Sequence, residues 1–279
     1  MTFLKTHWNK FFILGISIIA LILAFSFVLD VQAKEIINKA FTQAVIVFGS
    51  AKALNAVISL AQGTEIDLPF LTVAIGQVLD PINDLVEQFS LIMLASMVSL
   101  GIQKILMGLV TNGWFNLLLA LNLVVLNLWL FVRFKNDENM RTLFFKITVV
   151  LIFLRFAVPL IGHVNEIAYE HFVKSQYNIE QLNERIIGVK NEVSKVTNET
   201  IEQKEQQSFL SKVTEKFDSN YYKQKIEEYR NAADSSSEYI VDLIIVFVFQ
   251  SMLLPLVFLI VLYYFVKGIF NIRRDKELK

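Results

Sequence analysis

The chain has 279 residues, 54% of them hydrophobic, and a mean hydropathy of +0.51, more apolar side chain than a soluble domain of this length can bury; it is a membrane protein. Its 26 Lys and Arg balance its 26 Asp and Glu, so net charge gives no ground for nucleic-acid binding. Cysteine is absent, which excludes disulfides, thiolate zinc sites and cysteine nucleophiles.

Lys5 and Lys10 precede an apolar run from Phe11 to Leu29, which at 1.5 Å per residue rises about 29 Å and spans the hydrocarbon core. Val31-Gln32-Ala33 resembles a signal-peptide cleavage site, but the run is longer than a usual signal core and Asp30 stands beside the cut. Residues 1–29 read as a signal anchor and first span.

Residues 30–113 hold two apolar helical stretches. In the first, Ile37, Phe41, Ala44, Phe48, Ala51, Leu54 and Ile58 recur at helical steps up to a stop at Gly63. Its small residues (Ala44, Gly49, Ala51, Ala53, Ala56, Ser59) suit close helix packing. The intervening stretch carries Glu65, Asp67, Asp80, Asp84 and Glu87 without a single Lys or Arg. Asp80-Pro81 starts the second helix as a cap followed by proline. Residues 40–61 and 85–110 are long enough to span, but Lys104 in the second would then be buried.

Residues 114–134 and 142–162 form a hairpin of two spans around Arg133, Lys135, Arg141 and Lys146. Residues 163–238 then turn hydrophilic, with 10 Lys or Arg against 14 Asp or Glu. Ile179, Leu182, Ile186, Val189, Val193 and Val196 step by threes and fours, the seam of a coiled coil. A returning limb with Phe209, Leu210, Val213, Phe217, Tyr221, Tyr222, Ile226 and Tyr229 completes a helical hairpin, broken or capped at Asp218-Ser219-Asn220. The Asn198-Glu199-Thr200 sequon arises too often by chance to carry weight. Residues 239–279 are a last span, kinked at Pro255, and a tail with Arg273, Arg274, Lys276 and Lys279.

Cationic flanks stay in the cytoplasm. Placing all three clusters there gives four spans, cytoplasmic termini, an extracytoplasmic arm at 163–238, and residues 30–113 as outer-face amphipathic or re-entrant helices. Six spans is the alternative. The expected fold is therefore all-α: a polytopic integral membrane protein, of a bacterial inner membrane, with a coiled-coil-like hairpin arm.

Arg155 inside a span is the most costly position, and Asp242 and Gln250 of the last span are its expected acceptors, as a register clamp or beside an ion path. Asn122 and Asn127 suit interhelical hydrogen bonds. His163, Glu166 and Glu170 share a helix face and are the only candidates for a metal, which normally needs ligands from several helices. No phosphate loop, nucleophile–base pattern or HExxH is present, so no catalytic or cofactor residue is assigned and an enzyme is not expected. The expected partners are the lipid bilayer, further copies of the chain, and a protein bound by the arm. The rival expectation is an oligomeric channel or transport component lined by residues 35–110, or an accessory subunit of a larger membrane complex.

Overall fold

A computed structural model describes residues 2–68, 71–131, 138–206 and 219–271. In chain order these form α1 (Thr2–Ser26), α2 (Val28–Gln62), strands β1 (Glu65–Leu68) and β2 (Leu71–Ala74), a 3-10 turn (Ile75–Leu79), α3 (Asp80–Val110), α4 (Gly113–Phe131) and α5 (Glu138–Ala168). A π turn (Tyr169–Val173), α6 (Ile179–Gln206), α7 (Ser219–Val248), a second π turn (Phe249–Leu253) and α8 (Leu254–Asn271) follow. The helical architecture is as expected; the two strands, paired antiparallel from Glu65–Ala74 to Leu68–Leu71, are a small addition. Arg133 and Lys135, the apolar positions Phe209, Leu210, Val213 and Phe217, Asp218, and the cationic tail from Arg273 lie outside the described residues.

Four helical stretches are long and apolar enough to cross a membrane: Leu29–Gln62, Gly76–Val110, Leu143–Val173 and Lys223–Gly268. They mark an integral membrane protein. The number matches the expected four, but the membership differs. The last two cover the spans expected at 142–162 and 240–270 to within two residues, whereas the first two contain segments that the charge count kept out of the bilayer. Phe11–Ser26 and Gly113–Trp129 are shorter apolar helices. Continuity explains the difference, because α2 joins 40–61 to the apolar residues before it and α3 carries 85–110 in one unbroken helix.

The chain divides into two compact units, the first of Met1–Ala40, Ser99–Ala168 and Leu253–Lys279, the second of Phe41–Val98 and Tyr169–Met252. The first turns apolar side chains outward, among them Phe12, Ile22, Leu121, Leu160 and Leu256, as helices facing lipid do. Its interior is set by small residues: Ala20 and Ala24 of α1 meet Leu119 and Leu123 of α4, flanked by Leu151, Ile152 and Phe156 of α5. Alanine lets the backbones approach where apolar area alone gives no drive to associate. Asn122 of α4 accepts a hydrogen bond from the Thr148 hydroxyl of α5, and Phe153 stacks on Phe258 and Phe265 of α8. Asn127, by contrast, donates to the Leu123 carbonyl of its own helix.

In the second unit, buried positions recur in threes and fours along every limb. On α6 they are the six expected seam residues from Ile179 to Val196, and from Leu79 at the end of the 3-10 turn they continue along α3 through Ile82, Val86, Phe89, Met93 and Ser96. On α2 the buried row is Ala44, Val47, Ala51, Leu54, Ile58 and Ala61; Phe48 is only half-buried, and Gly49, Ala53, Ala56 and Ser59 face outward. The expected small-residue face is thus split, because the 3-4 repeat that buries Ala44 and Ala51 carries those four positions round to the other side.

α6 and α7 run antiparallel, tied by the Thr197–Tyr229 hydroxyl pair (2.9 Å), the Lys225–Glu199 ion pair (2.6 Å) and Arg185 over the Tyr239 ring (5.1 Å). Asn178 starts α6 as a cap, its Oδ1 accepting the Glu180 and Gln181 amides, and the Ile179 amide donates to the Tyr169 hydroxyl. The 3-10 turn passes so close to the end of α2 that a β-carbon on Gly76 would lie 1.9 Å from the Ala61 carbonyl oxygen. Only glycine fits there. Asp80, at the start of α3, accepts a bond from Gln62 at 2.7 Å.

Gly76→Ala forces the backbone of the turn off α2 and lowers the stability of this unit by about 1–3 kcal/mol, read as a reduced melting temperature in detergent; an unchanged melting temperature contradicts the close approach. The hydrogen bond from Lys225 holds the Glu199 carboxyl below its ordinary value. A carboxyl lowered in the folded state adds stability above its unfolded value, and that stability is lost as pH falls through the folded one. Glu199→Gln therefore flattens the acid limb of the melting temperature against pH, and an acid limb identical to that of the unsubstituted chain rules out this contribution.

Candidate functional site

α1 stops at Ser26 and α2 begins two residues later, which leaves the last carbonyls of α1 without helical partners. Between them Phe27 adopts a φ of 55°, a left-handed conformation that costs a bulky residue about 1–2 kcal/mol. Arg155 of α5 closes this break. Its Nη2 donates to the Ala24 carbonyl (2.8 Å) and to Asp30 Oδ2 (2.6 Å), its Nη1 to Asp30 Oδ1 (2.8 Å), and its Nε to Asn116 Oδ1 (2.7 Å). Asn116 Nδ2 completes the ring with a bond to the same Ala24 carbonyl at 3.1 Å. Four of the five guanidinium N–H groups are thereby used.

The electrostatics agree with the hydrogen bonds. The cation sits at the negative end of α1, and Asp30 occupies the first turn of α2, where the positive helix end favours a carboxylate. Arg155 is 1% exposed and Asp30 3%, so each charge depends on the other for the solvation it has lost. The fork geometry is bidentate, which lysine cannot reproduce. Pro159, four residues beyond, has no amide to offer the Arg155 carbonyl, which loosens α5 at this turn.

The carboxylate that pairs with Arg155 is Asp30, whereas the expected acceptors were Asp242 and Gln250. Asp242 belongs to the second unit, half-buried on α7, attracted by Arg185 of α6 and repelled by Glu238 one turn away. Gln250 is buried in the second π turn, just ahead of Pro255. The physical reason is the helix break. Arg155, in the interior of α5, meets the orphan Ala24 carbonyl and the Asp30 carboxylate, an acceptor site that is invisible until α1 is known to end at Ser26.

The candidate metal residues separate. Glu170 is bonded by Lys174 at 2.7 Å, in the second unit, while His163 and Glu166 line a cleft with α2 in the first. Among the described residues no three of His, Cys, Asp and Glu stand close enough to hold a metal ion. Lys104 is exposed on α3. Four of the five Arg155 donors are committed to protein acceptors, and the ring joins α1, α2, α4 and α5 at one buried point. The chain matches no protein-family model, no curated protein and no solved structure.

Removing one partner leaves the other charge buried alone, so Arg155→Met or Asp30→Asn costs about 3–5 kcal/mol. The double variant Asp30→Asn with Arg155→Met loses clearly less than the sum of the two, measured by thermal or denaturant unfolding in detergent. Additive losses mean that the two side chains do not act as a pair.

Proposed function

We propose that the protein is a non-enzymatic scaffold of a bacterial inner membrane that works as a homo-oligomer, with both termini in the cytoplasm and the hairpin at 163–238 projecting outside as a coiled-coil arm for a partner protein. The observation that carries this reading is the α6–α7 pair, an antiparallel hairpin with an apolar inner seam and a charged outer face, in a chain whose other helices are built for lipid. A second feature supports the oligomer. α3 has apolar residues on both sides, with Leu91, Leu94 and Val98 exposed opposite its buried row. Such a face is covered by lipid or by another subunit.

The rival reading, an oligomeric channel lined by residues 35–110, draws support from the outward face of α2, where Thr42, Gly49, Lys52, Ala53 and Ser59 are small or polar enough to border water. Arg155 lends it none, because four of its five donors are committed to protein acceptors. Solute flux in proteoliposomes separates the two readings, and a scaffold gives none above empty vesicles.

The purified chain in mild detergent is expected to have the mass of several copies; a monomer that keeps its helical content refutes the scaffold. Because cysteine is absent, single substitutions report topology without background. Cysteines at the exposed positions Gln88 and Asn198 react from outside intact spheroplasts, and one at Asn139 reacts only after permeabilisation. A cytoplasmic Gln88 with an external Asn198 restores six spans, and a cytoplasmic Asn198 removes the external arm.

A further inference from the structure

Charged and polar side chains around one cleft of the first unit are unspent. The cleft, about 450 Å³, lies between the first turns of α2 and the last turns of α5, lined by Gln32, Glu35, Ile36, Lys39, His163 and Glu166. The α2 residues follow the i, i+3, i+4, i+7 spacing of one helix face, and the two from α5 stand one turn apart. Beside it the helices touch: a β-carbon on Gly162 would lie 3.6 Å from the Ala33 carbonyl oxygen and 3.7 Å from the Ala33 β-carbon.

Glu35 and Lys39 are exposed at its mouth, and His163 and Glu166 are half-buried. Glu35 precedes Lys39 by four residues, the order that ordinarily gives a helix ion pair, yet no such pair forms. Among the described residues none of Glu35, Lys39, His163 and Glu166 has an ion pair or hydrogen bond, and His163 Nε2 is enclosed without a partner. Two carboxylates thus offer acceptors to an ammonium group, while the Lys39 ammonium and the imidazole N–H offer donors to an oxyanion. The volume falls within the range of small-molecule sites.

Alongside these charges, Leu160, Val164 and Ile167 form an exposed apolar row on the same turns of α5, and Val31 is exposed on α2. An apolar surface next to a group of opposite charges has the chemistry of a lipid with a zwitterionic headgroup. We propose that this cleft binds a zwitterion in which an ammonium and a phosphate are linked by a short chain, Glu35 and Glu166 taking the ammonium and Lys39 and His163 the phosphate. The same chemistry is found in an aminophospholipid headgroup and in free phosphoethanolamine. The site does not depend on whether the chain acts as a scaffold.

The test uses the delipidated full-length protein in detergent, titrated by calorimetry with short-chain phosphatidylethanolamine, with phosphatidylglycerol of the same chains, and with phosphoethanolamine. The expected result is saturable binding of phosphatidylethanolamine, about tenfold or more tighter than phosphatidylglycerol, with Glu35→Gln/Glu166→Gln weakening it by a similar factor. Phosphoethanolamine that binds as tightly identifies a soluble ligand, and phosphoethanolamine that fails to bind identifies the lipid. Equal binding of the two lipids, or no binding of either zwitterion, overturns the proposal. Circular dichroism checks each variant; should the double variant misfold, Lys39→Gln on the exposed rim decides the question, since wild-type affinity in that variant also overturns it.

Discussion

One buried guanidinium reconciles an interrupted helix with apolar surroundings. The break after Ser26 leaves the Ala24 carbonyl to be satisfied by protein, and it places the ends of two helices, with opposite partial charges, beside each other. Arg155 and Asp30 match those charges in sign and cap the break at once. Asn116 makes the arrangement a closed ring, donating to the carbonyl that Arg155 also bonds and accepting from its Nε. At a buried point a partial set of these bonds would be worse than an apolar core, so the four helices that contribute to it hold their register together or not at all.

The second unit solves a different problem. Its limbs bury long 3-4 rows, but these rows include polar members: Ser90 and Ser96 on α3, Asn183 and Thr197 on α6, and Ser236 on α7. Thr197 and Ser90 return hydrogen bonds to their own helix, to Val193 and Val86, and Thr197 also meets Tyr229. Polar groups in a seam sacrifice apolar area and restrict which registers satisfy them. The α6–α7 pair is fixed at one offset by the Thr197–Tyr229 and Lys225–Glu199 contacts rather than by apolar area alone.

Much of this was readable in the residues, and the failures share a cause. The seam of α6 could be found because periodicity is local: each of its six positions is defined by its neighbours three and four away. The start of α3 and the stop before Gly63 were local in the same way. Arg155 could be singled out as costly from its apolar context alone, yet its partner could not, since that depends on where α1 ends, and nothing near Phe27 is a glycine or proline that announces a break. The only hint was Asp30 closing an apolar run. The buried row of α3 was obscured for another reason: its helix is apolar nearly all round, so spacing alone does not separate an inner from an outer face.

The sequence distance within the ring orders the assembly of the molecule. Asp30 leaves the ribosome 125 residues ahead of Arg155, on the order of ten seconds at ordinary rates of synthesis. Throughout that interval the carboxylate lacks the guanidinium that it pairs with in the folded chain. The early helices therefore precede the side chain that joins them, the alanine contacts of α1 waiting for α4 and the bend for α5, so truncation anywhere before Arg155 yields a chain whose first bend never sets.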